Sequence, residues 1–448
     1  MGKLKSLVDS LFSFSEGIAM TTEYDVVVVG AGILGLATAY HIKRENPDKE
    51  VLVVEKRSAA GQGNTAKSAA MFRCFFYSNI NLLLTSSTVD FYQHLQEELN
   101  VDLKIRWTGY LWLFSREKYE KIRPVLAEMS EMGLEYKIYE TEELENTIGI
   151  KTCFEGDEEA KLMGLEEAHV GIFIPKAGSL DVDALVNFYA SKFVEMGGKI
   201  RFSTEVKSLI VEPEHPLGIP GEPYFWQNPV VRGVHTNNGS IRAKTTVLAA
   251  GAWIPTLLDQ LGIECYIKPK KRQIFCVKAS TEQLRKLLYA KDFGPEGCIP
   301  FTILPKPSVY FKPAIEEEAF WISYGDEFPR AFLLEEEPQP EENFYEYGIY
   351  QVLVKYFPQF MGQKPYSAFA GLYAINTLDG QPLIFKENGL IVVGGASGSG
   401  IMKADAIGRI AAALYREEEY AELFGGKKFR VSDLGLKKRR ITPEKFII

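Results

Sequence analysis

The stretch YDVVVVGAGILGLATAYHIKRENPDKEVLVVEKR, Tyr24 to Arg57, carries the most information in the chain. YDVVVV is a continuous apolar run of the kind that a parallel strand covered on both faces requires. The segment after it turns at once into a helix that puts Leu34, Ala37, Thr38 and His41 on one side. KEVLVVEKR is a second buried strand, and Glu55 ends it. Gly30, Gly32 and Gly35 form GxGxxG between the first strand and the helix, with Glu55 following Gly35 by 20 residues. The first glycine permits the tight turn, the second lets a pyrophosphate approach the backbone, and the third lets helix and strand pack closely. The helix N-terminus then faces the phosphate charge. Glu55 is placed to accept hydrogen bonds from an adenosine ribose, which argues against a 2′-phosphate ligand; the fingerprint leaves NAD and FAD both open.

Working outward, the 448 residues allow two or three domains. The formal charge of -8 supplies no basic field for a phosphate backbone, so nucleic acid is not an expected partner. Five scattered cysteines, Cys74, Cys153, Cys265, Cys276 and Cys298, form no CxxC pair, and the five histidines show no ligand spacing. No metal is expected, and a reduced, cytoplasmic setting fits. Asp9 and Glu16 interrupt the first 20 residues, which read as a short amphipathic helix on Leu4, Leu7, Val8, Leu11 and Phe12 rather than a signal peptide. GASGS at Gly395 misses the nucleophile elbow, because position 399 is serine.

A helical stretch, Ile80 to Leu99, follows a small-residue loop, and aromatic strands such as RWTGYLWLF begin at Arg106. SLDVDALVNFYASKFVEMGG opens on Ser179 as an N-cap and ends at Gly197 and Gly198. Two strands are joined at Asn238-Gly239, a dipeptide suited to a tight hairpin turn. Glu212 to Pro229, with Pro213, Pro216, Pro220, Pro223 and Pro229, reads as a surface insertion. The acidic runs Glu316 to Glu318 and Glu335 to Glu337 read as solvated loop ends. The tail from Lys427 holds eight Lys or Arg against two acids, a solvated or domain-packing segment that also leaves peripheral membrane contact open.

Several anchors agree in order and distance: the fingerprint, GNTAKSAAMFR at Gly63 to Arg73, VLAAGAW at Val247 to Trp253, GLYAINTLDGQPLI at Gly371 to Ile384 and SGSGIMKADAIG at Ser397 to Gly408. Together they resemble the D-amino-acid oxidase superfamily of FAD-dependent amine oxidoreductases, in its glycine oxidase and sarcosine oxidase branch, over about Glu23 to Leu423. Within it the chain is most similar to the archaeal dye-linked L-proline dehydrogenases. The resemblance implies an α/β fold: a Rossmann-like, glutathione-reductase-like FAD domain with a discontinuous α+β substrate domain on a mixed or antiparallel sheet. The expected division is an extension at 1–22, the FAD domain at 23–90, 165–262 and 365–426, the substrate domain at 91–164 and 263–364, and a basic tail at 427–448.

By the same resemblance FAD is held by Gly30, Gly32, Ile33, Leu34, Gly35, Glu55 and Lys56, by Lys67, Ser68 and Ala69, by Val206, Ala250, Gly251 and Trp253, and by Gly371, Gly398, Ser399, Gly400, Ile401 and Met402. Gly371 replaces the flavin-linking cysteine of sarcosine oxidases, and Lys67 to Ala69 lack the histidine of sarcosine dehydrogenases, so the FAD is expected to be non-covalent. Arg73 is expected to hold the substrate carboxylate and Tyr373 to assist it, the two catalytic residues of this reading; Tyr310, Tyr324, Met402 and Lys403 complete the substrate contacts. Ser323 falls where sarcosine oxidases carry a lysine that favours O2, with Lys312 on the strand before it. The implied activity is oxidation of a secondary-amine amino acid, foremost L-proline to Δ1-pyrroline-5-carboxylate, by hydride transfer to flavin N5, with electrons passed to a quinone or other carrier. Sarcosine, glycine or D-amino-acid oxidase activity using O2, and a flavin-binding scaffold without turnover, are the alternatives.

Overall fold

The computed structural model describes residues 23–326 and 329–446. The amphipathic helix expected in the first 20 residues therefore lies outside the described residues. The apolar runs of the fingerprint form β1 (Glu23–Val29) and β2 (Val51–Val54), with the helix Ile33–Glu45 between them. They sit at the centre of a sheet with β8 (Lys199–Arg201), β11 (Gly239–Leu248), β18 (Leu390–Gly394) and β17 (Leu383–Glu387), in the order β17-β18-β11-β1-β2-β8. All neighbours there are parallel except β17 and β18. β9 (Val206–Pro213) and β10 (Pro229–Thr236) add an antiparallel extension on β11. Helices Ile33–Glu45, Asn79–Glu97, Val182–Glu195 and Ala404–Tyr415 cover one face of this sheet, and both faces are packed, which is why its strands are apolar throughout.

The second sheet is mixed. Its order is β16-β12-β15-β14-β13-β4-β6-β5, from β16 (Ser367–Asn376), β12 (Ile267–Lys278), β15 (Ala319–Tyr324), β14 (Val309–Ala314), β13 (Phe301–Ile303), β4 (Tyr110–Phe114), β6 (Val170–Ile174) and β5 (Lys137–Glu140). Only β13 and β4 run parallel. β6 pairs with β4 and β5, and β16 pairs along its whole length with β12, which brings segments from both parts of the expected division into this sheet. β3 (Met71–Arg73) and β7 (Ala177–Ser179) form a two-stranded link, as do β19 (Tyr420–Glu422) and β20 (Lys428–Arg430). The residues from Lys427 are no loose tail, since Phe429, Val431, Leu434 and Phe446 are buried in the two cores.

Two local readings also change. The helix Val182–Glu195 is capped by Asp181, whose side chain accepts from the Ala184 amide, because Ser179 is committed to β7. The hairpin turns on Asn237 and Asn238, with Thr236 paired to Gly239 and the positive φ of +99° on Gly239.

Two close approaches fix the fingerprint helix. A Cβ on Gly35 would lie 2.0 Å from the Gly30 carbonyl oxygen, and one on Gly408 would lie 2.6 Å from that of Ala37. Between the helices, His41 Nε2 meets Asp405 Oδ1 at 2.7 Å, and Arg409 Nε donates to the other Asp405 oxygen at 2.6 Å. Complete burial outweighs the attraction of Asp405 and brings His41 down to about 4. Between about pH 6.5 and pH 4 the unfolded chain binds a proton that folded His41 refuses, so stability falls on acidification through that window. Thermal unfolding should show this loss between pH 7.5 and pH 5, and His41→Gln should reduce the slope; an unchanged slope would contradict the assignment.

Candidate functional site

A cavity of about 420 Å³ opens between the first sheet and one face of the second. Its floor is the fingerprint: Gly30, Gly32, Ile33 and Leu34 line it at the helix N-terminus. Glu55 is held there by the turn itself, since Oε2 accepts from the Ala31 amide at 2.8 Å and Oε1 from the Arg57 amide at 2.9 Å. Val206, Ala250, Gly251 and Trp253 form the wall beyond Glu55 and Lys56. The opposite wall is the loop with Lys67, Ser68 and Ala69, and Gly398, Gly400 and Ile401 close the far end with Gly371. A Cβ on Gly371 would meet the Lys67 Cβ at 3.1 Å and Asn64 Oδ1 at 3.4 Å, so glycine lets the strand lie against the loop.

Three of the expected cofactor residues stand behind this surface. Gly35 packs on Gly30, the Ser399 hydroxyl donates to the Ala396 carbonyl at 2.7 Å, and Met402 packs into the helical core. The sequence reading missed Thr65, whose Oγ1 accepts from the Ile33 amide at 3.1 Å, and Asn64, whose Oδ1 accepts from the Leu372 amide at 2.8 Å. Glu335 to Glu337 keep the solvent exposure expected of them and also meet basic partners: Glu336 binds Lys56 and accepts from Trp253 Nε1 at 2.7 Å, Glu337 reaches Arg57 at 2.8 Å, and Glu335 reaches Lys271 at 3.2 Å. Of the three, Glu336 lines the cavity.

The face presented by the second sheet follows from strand alternation. Register pairs Arg272 with Gly371 and Tyr310 with Ser323, and Arg272, Ile274, Tyr310 and Tyr373 line the cavity. Tyr324 pairs with Val309, one residue out of phase, so it points away and stacks on Phe344 with ring centroids 6.3 Å apart. It is removed from the expected substrate contacts for that reason. The Ser323 hydroxyl is buried on the Gln273 carbonyl, and Lys312 Nζ donates to the Ala69 carbonyl at 2.8 Å over the Trp321 ring. Burial pushes Lys312 down to about 8. Arg272, on the cavity wall, has its guanidinium 5.5 Å from the Tyr373 ring centre; alternation along IKPKKRQIFCVK was the available signal for it.

Arg73 and Lys403 do not line the cavity. Tyr110, a buried residue, lies within electrostatic reach of Arg73 and of the cavity residues Tyr310 and Tyr373. Arg73 is sandwiched between Phe76, at 4.2 Å, and Trp112, at 5.0 Å. Its Nη1 and the Trp112 Nε1 are buried donors without a partner among the described residues. Lys403 Nζ donates to Asn81 Oδ1 at 2.6 Å, and burial, with the Arg73 charge next, pushes it down to about 7.

The residues present fit a flavin dinucleotide: a helix N-terminus with an open glycine for a pyrophosphate, a fixed carboxylate for a ribose, and a small-residue enclosure beneath an aromatic sheet face. No cysteine or histidine lines the cavity, so the side chains through which the resembling enzymes attach flavin are missing from its described wall. Residues 25–414 match the FAD dependent oxidoreductase family, DAO, and the chain belongs to that family. FAD-dependent oxidoreductase domain-containing protein 1 of Bos taurus is 25% identical over 438 residues, 88% of this chain and 82% of that protein. Sarcosine oxidase subunit beta of Arthrobacter sp is 28% identical over 248 residues, 55% of this chain and 55% of that one. The solved L-proline dehydrogenase of P. horikoshii has the same fold, with a TM-score of 0.71 at 22% identity over 93% of this chain and 97% of that one. The chain is thus an FAD-dependent oxidoreductase. No helix among the described residues is long and apolar enough to cross a membrane.

The fingerprint glycines should separate experimentally. A Cβ on Gly32 meets only the Thr65 hydroxyl, at 3.3 Å, and its φ of -73° suits any residue. Gly32→Val should therefore fold, with a native circular dichroism spectrum, yet be isolated without flavin; normal flavin content would contradict the pyrophosphate assignment. Gly35→Val should fail to fold, since its Cβ collides with backbone.

Proposed function

We propose that this oxidoreductase is a dehydrogenase of secondary-amine amino acids, converting L-proline to Δ1-pyrroline-5-carboxylate and taking sarcosine or another N-alkyl glycine next. The observation that carries the reading is the pair of buried, unpartnered donors at Arg73 and Trp112, which a carboxylate satisfies. Similarity to a sarcosine oxidase subunit and to the fold of an L-proline dehydrogenase supports the amine class.

In this reading Arg73 holds the carboxylate, and the rings of Tyr310 and Tyr373 with Ile274 pack on the aliphatic part of the substrate. The carboxylates lining the cavity, Glu55, Glu205 and Glu336, belong to its dinucleotide end, so none faces the amine as a base or counter-ion. Burial holds Tyr310 and Tyr373 above the ordinary phenol range, which keeps both hydroxyls protonated at neutral pH. With no carboxylate at that end among the described lining residues, the site selects the neutral amine; Arg272 on the wall is engaged by Asp326. When bound, flavin would supply the two-electron acceptor for the C–H bond next to the amine nitrogen on the side away from the carboxylate, C5 of proline, which becomes the imine carbon. The protein's part is to orient that bond and exclude water.

Electrons leave to a quinone or other carrier rather than to O2 in this proposal, because Ser323 is uncharged where the oxidases carry lysine. The second reading, an O2-using oxidase, is favoured by one observation: Lys312 lies on the same sheet face and bonds the carbonyl of Ala69, a cavity residue.

Arg73→Ala should raise KM about ten- to a hundredfold, the cost of one charge-assisted hydrogen bond of roughly 1.5 to 3 kcal/mol, with flavin content unchanged. An unchanged KM would move the carboxylate to Arg272. Stopped-flow mixing of the substrate-reduced enzyme with oxygenated buffer should show slow return of oxidised flavin and fast return with a dye. Rapid reoxidation with stoichiometric peroxide would replace the dehydrogenase with the oxidase.

A further inference from the structure

Residues 439–446 run from one domain to the other behind the substrate end of the cavity. Arg439 anchors one end, donating from Nη2 to Asp379 Oδ1 at 2.6 Å and from Nη1 to the Pro382 and Leu434 carbonyls at 3.0 Å. At the other end Phe446 is buried edge-on against Trp112, with ring centroids 5.1 Å apart, and against Phe75 at 5.3 Å. Trp112 is the indole on which the Arg73 guanidinium rests.

Between these anchors Glu444 is saturated without touching either buried cation. Its oxygens accept from the Tyr77 amide at 2.9 Å, the Ser78 amide at 3.2 Å, the Phe446 amide at 3.1 Å and Asn81 Nδ2 at 3.2 Å. Asn81 in turn accepts from Lys403. Glu444 nonetheless acts electrostatically on both Arg73 and Lys403. A carboxylate paired directly with Arg73 would occupy the hydrogen bonds that a substrate needs. One satisfied elsewhere balances the charge and leaves Arg73 Nη1 open.

We propose that residues 439–446 are a positioning strap for anion recognition: Glu444 is the non-competing counter-ion of Arg73 and Lys403, and Phe446 braces the indole that orients Arg73. The proposal rests on the reading of Arg73 as the carboxylate holder. Three charged groups bear on Lys403, namely Arg73, Glu444 and Asp379, and Asp379 is itself clamped by Arg439. Loss of the Glu444 charge alone therefore favours neutral Lys403.

The test is the Kd of tetrahydrofuran-2-carboxylate, a carboxylate with no amine to titrate, read from the flavin absorbance of the oxidised holoenzyme between pH 5.5 and pH 9. Phe446→Ala should weaken binding at least tenfold at unchanged flavin content, and Phe446→Leu, which refills the space and guards against misfolding, should restore most of it. Glu444→Gln should move the loss of affinity at rising pH to lower pH. If Arg73→Lys leaves the Kd unchanged, the reading of Arg73 fails. If Arg73→Lys weakens binding while the Phe446 and Glu444 variants match the wild type in Kd and pH profile, the strap proposal is overturned.

Discussion

The structure depends on a helix held closer to its neighbours than any side chain would allow. Glycine at 35 lets the helix Ile33–Glu45 touch the turn it grows from, and glycine at 408 lets the helix Ala404–Tyr415 lie against its other side. The buried pair of His41 and Asp405 then ties the two helices together, with Arg409, one turn along from Asp405, holding its other oxygen. Removing Arg409 leaves the buried Asp405 carboxylate without its cation, a loss on the order of 3 to 5 kcal/mol. What the packing achieves is convergence: the fingerprint turn and the Gly400–Ile401 turn before the second helix open on one cavity, and Glu55 is fixed between the first turn and β2.

The second sheet turns that cavity into a reaction site. Its strands alternate a cavity face with a core face, so Arg272 and Ile274 of β12 come together with Tyr310 of β14 and Tyr373 of β16. On the interior strand β4, Trp112 carries the buried Arg73 guanidinium on its ring.

What could be seen in the sequence was whatever chemistry is local along the chain. GxGxxG with Glu55 at its spacing, the loop at Gly63 to Arg73 and the turn at Gly398 to Ile401 each place their own backbone, and the cavity wall contains them. Features that depend on pairing between distant segments were harder. Tyr324 looked equivalent to Tyr310 until register put it one residue out of phase. Lys403 reads as a substrate contact, but its ammonium is committed to Asn81, which a distant helix supplies. The partners of Glu335 to Glu337, namely Lys56, Arg57 and Lys271, lie more than 60 residues away and so could not be read from the run itself. The segment ending at Phe446 read as charge, whereas its buried phenylalanine and Glu444 decide where it packs.

The central claim is that the carboxylate and neutral amine of a small amino acid are brought to a flavin held by the fingerprint cavity. Anaerobic titration of the purified holoprotein with L-proline, sarcosine, glycine and D-alanine, followed in the visible flavin absorbance, tests it most directly. The account predicts full bleaching by L-proline, weaker bleaching by sarcosine, and little or none by glycine and D-alanine. A spectrum unchanged by all four would contradict it and leave a flavin-binding scaffold in place of the dehydrogenase.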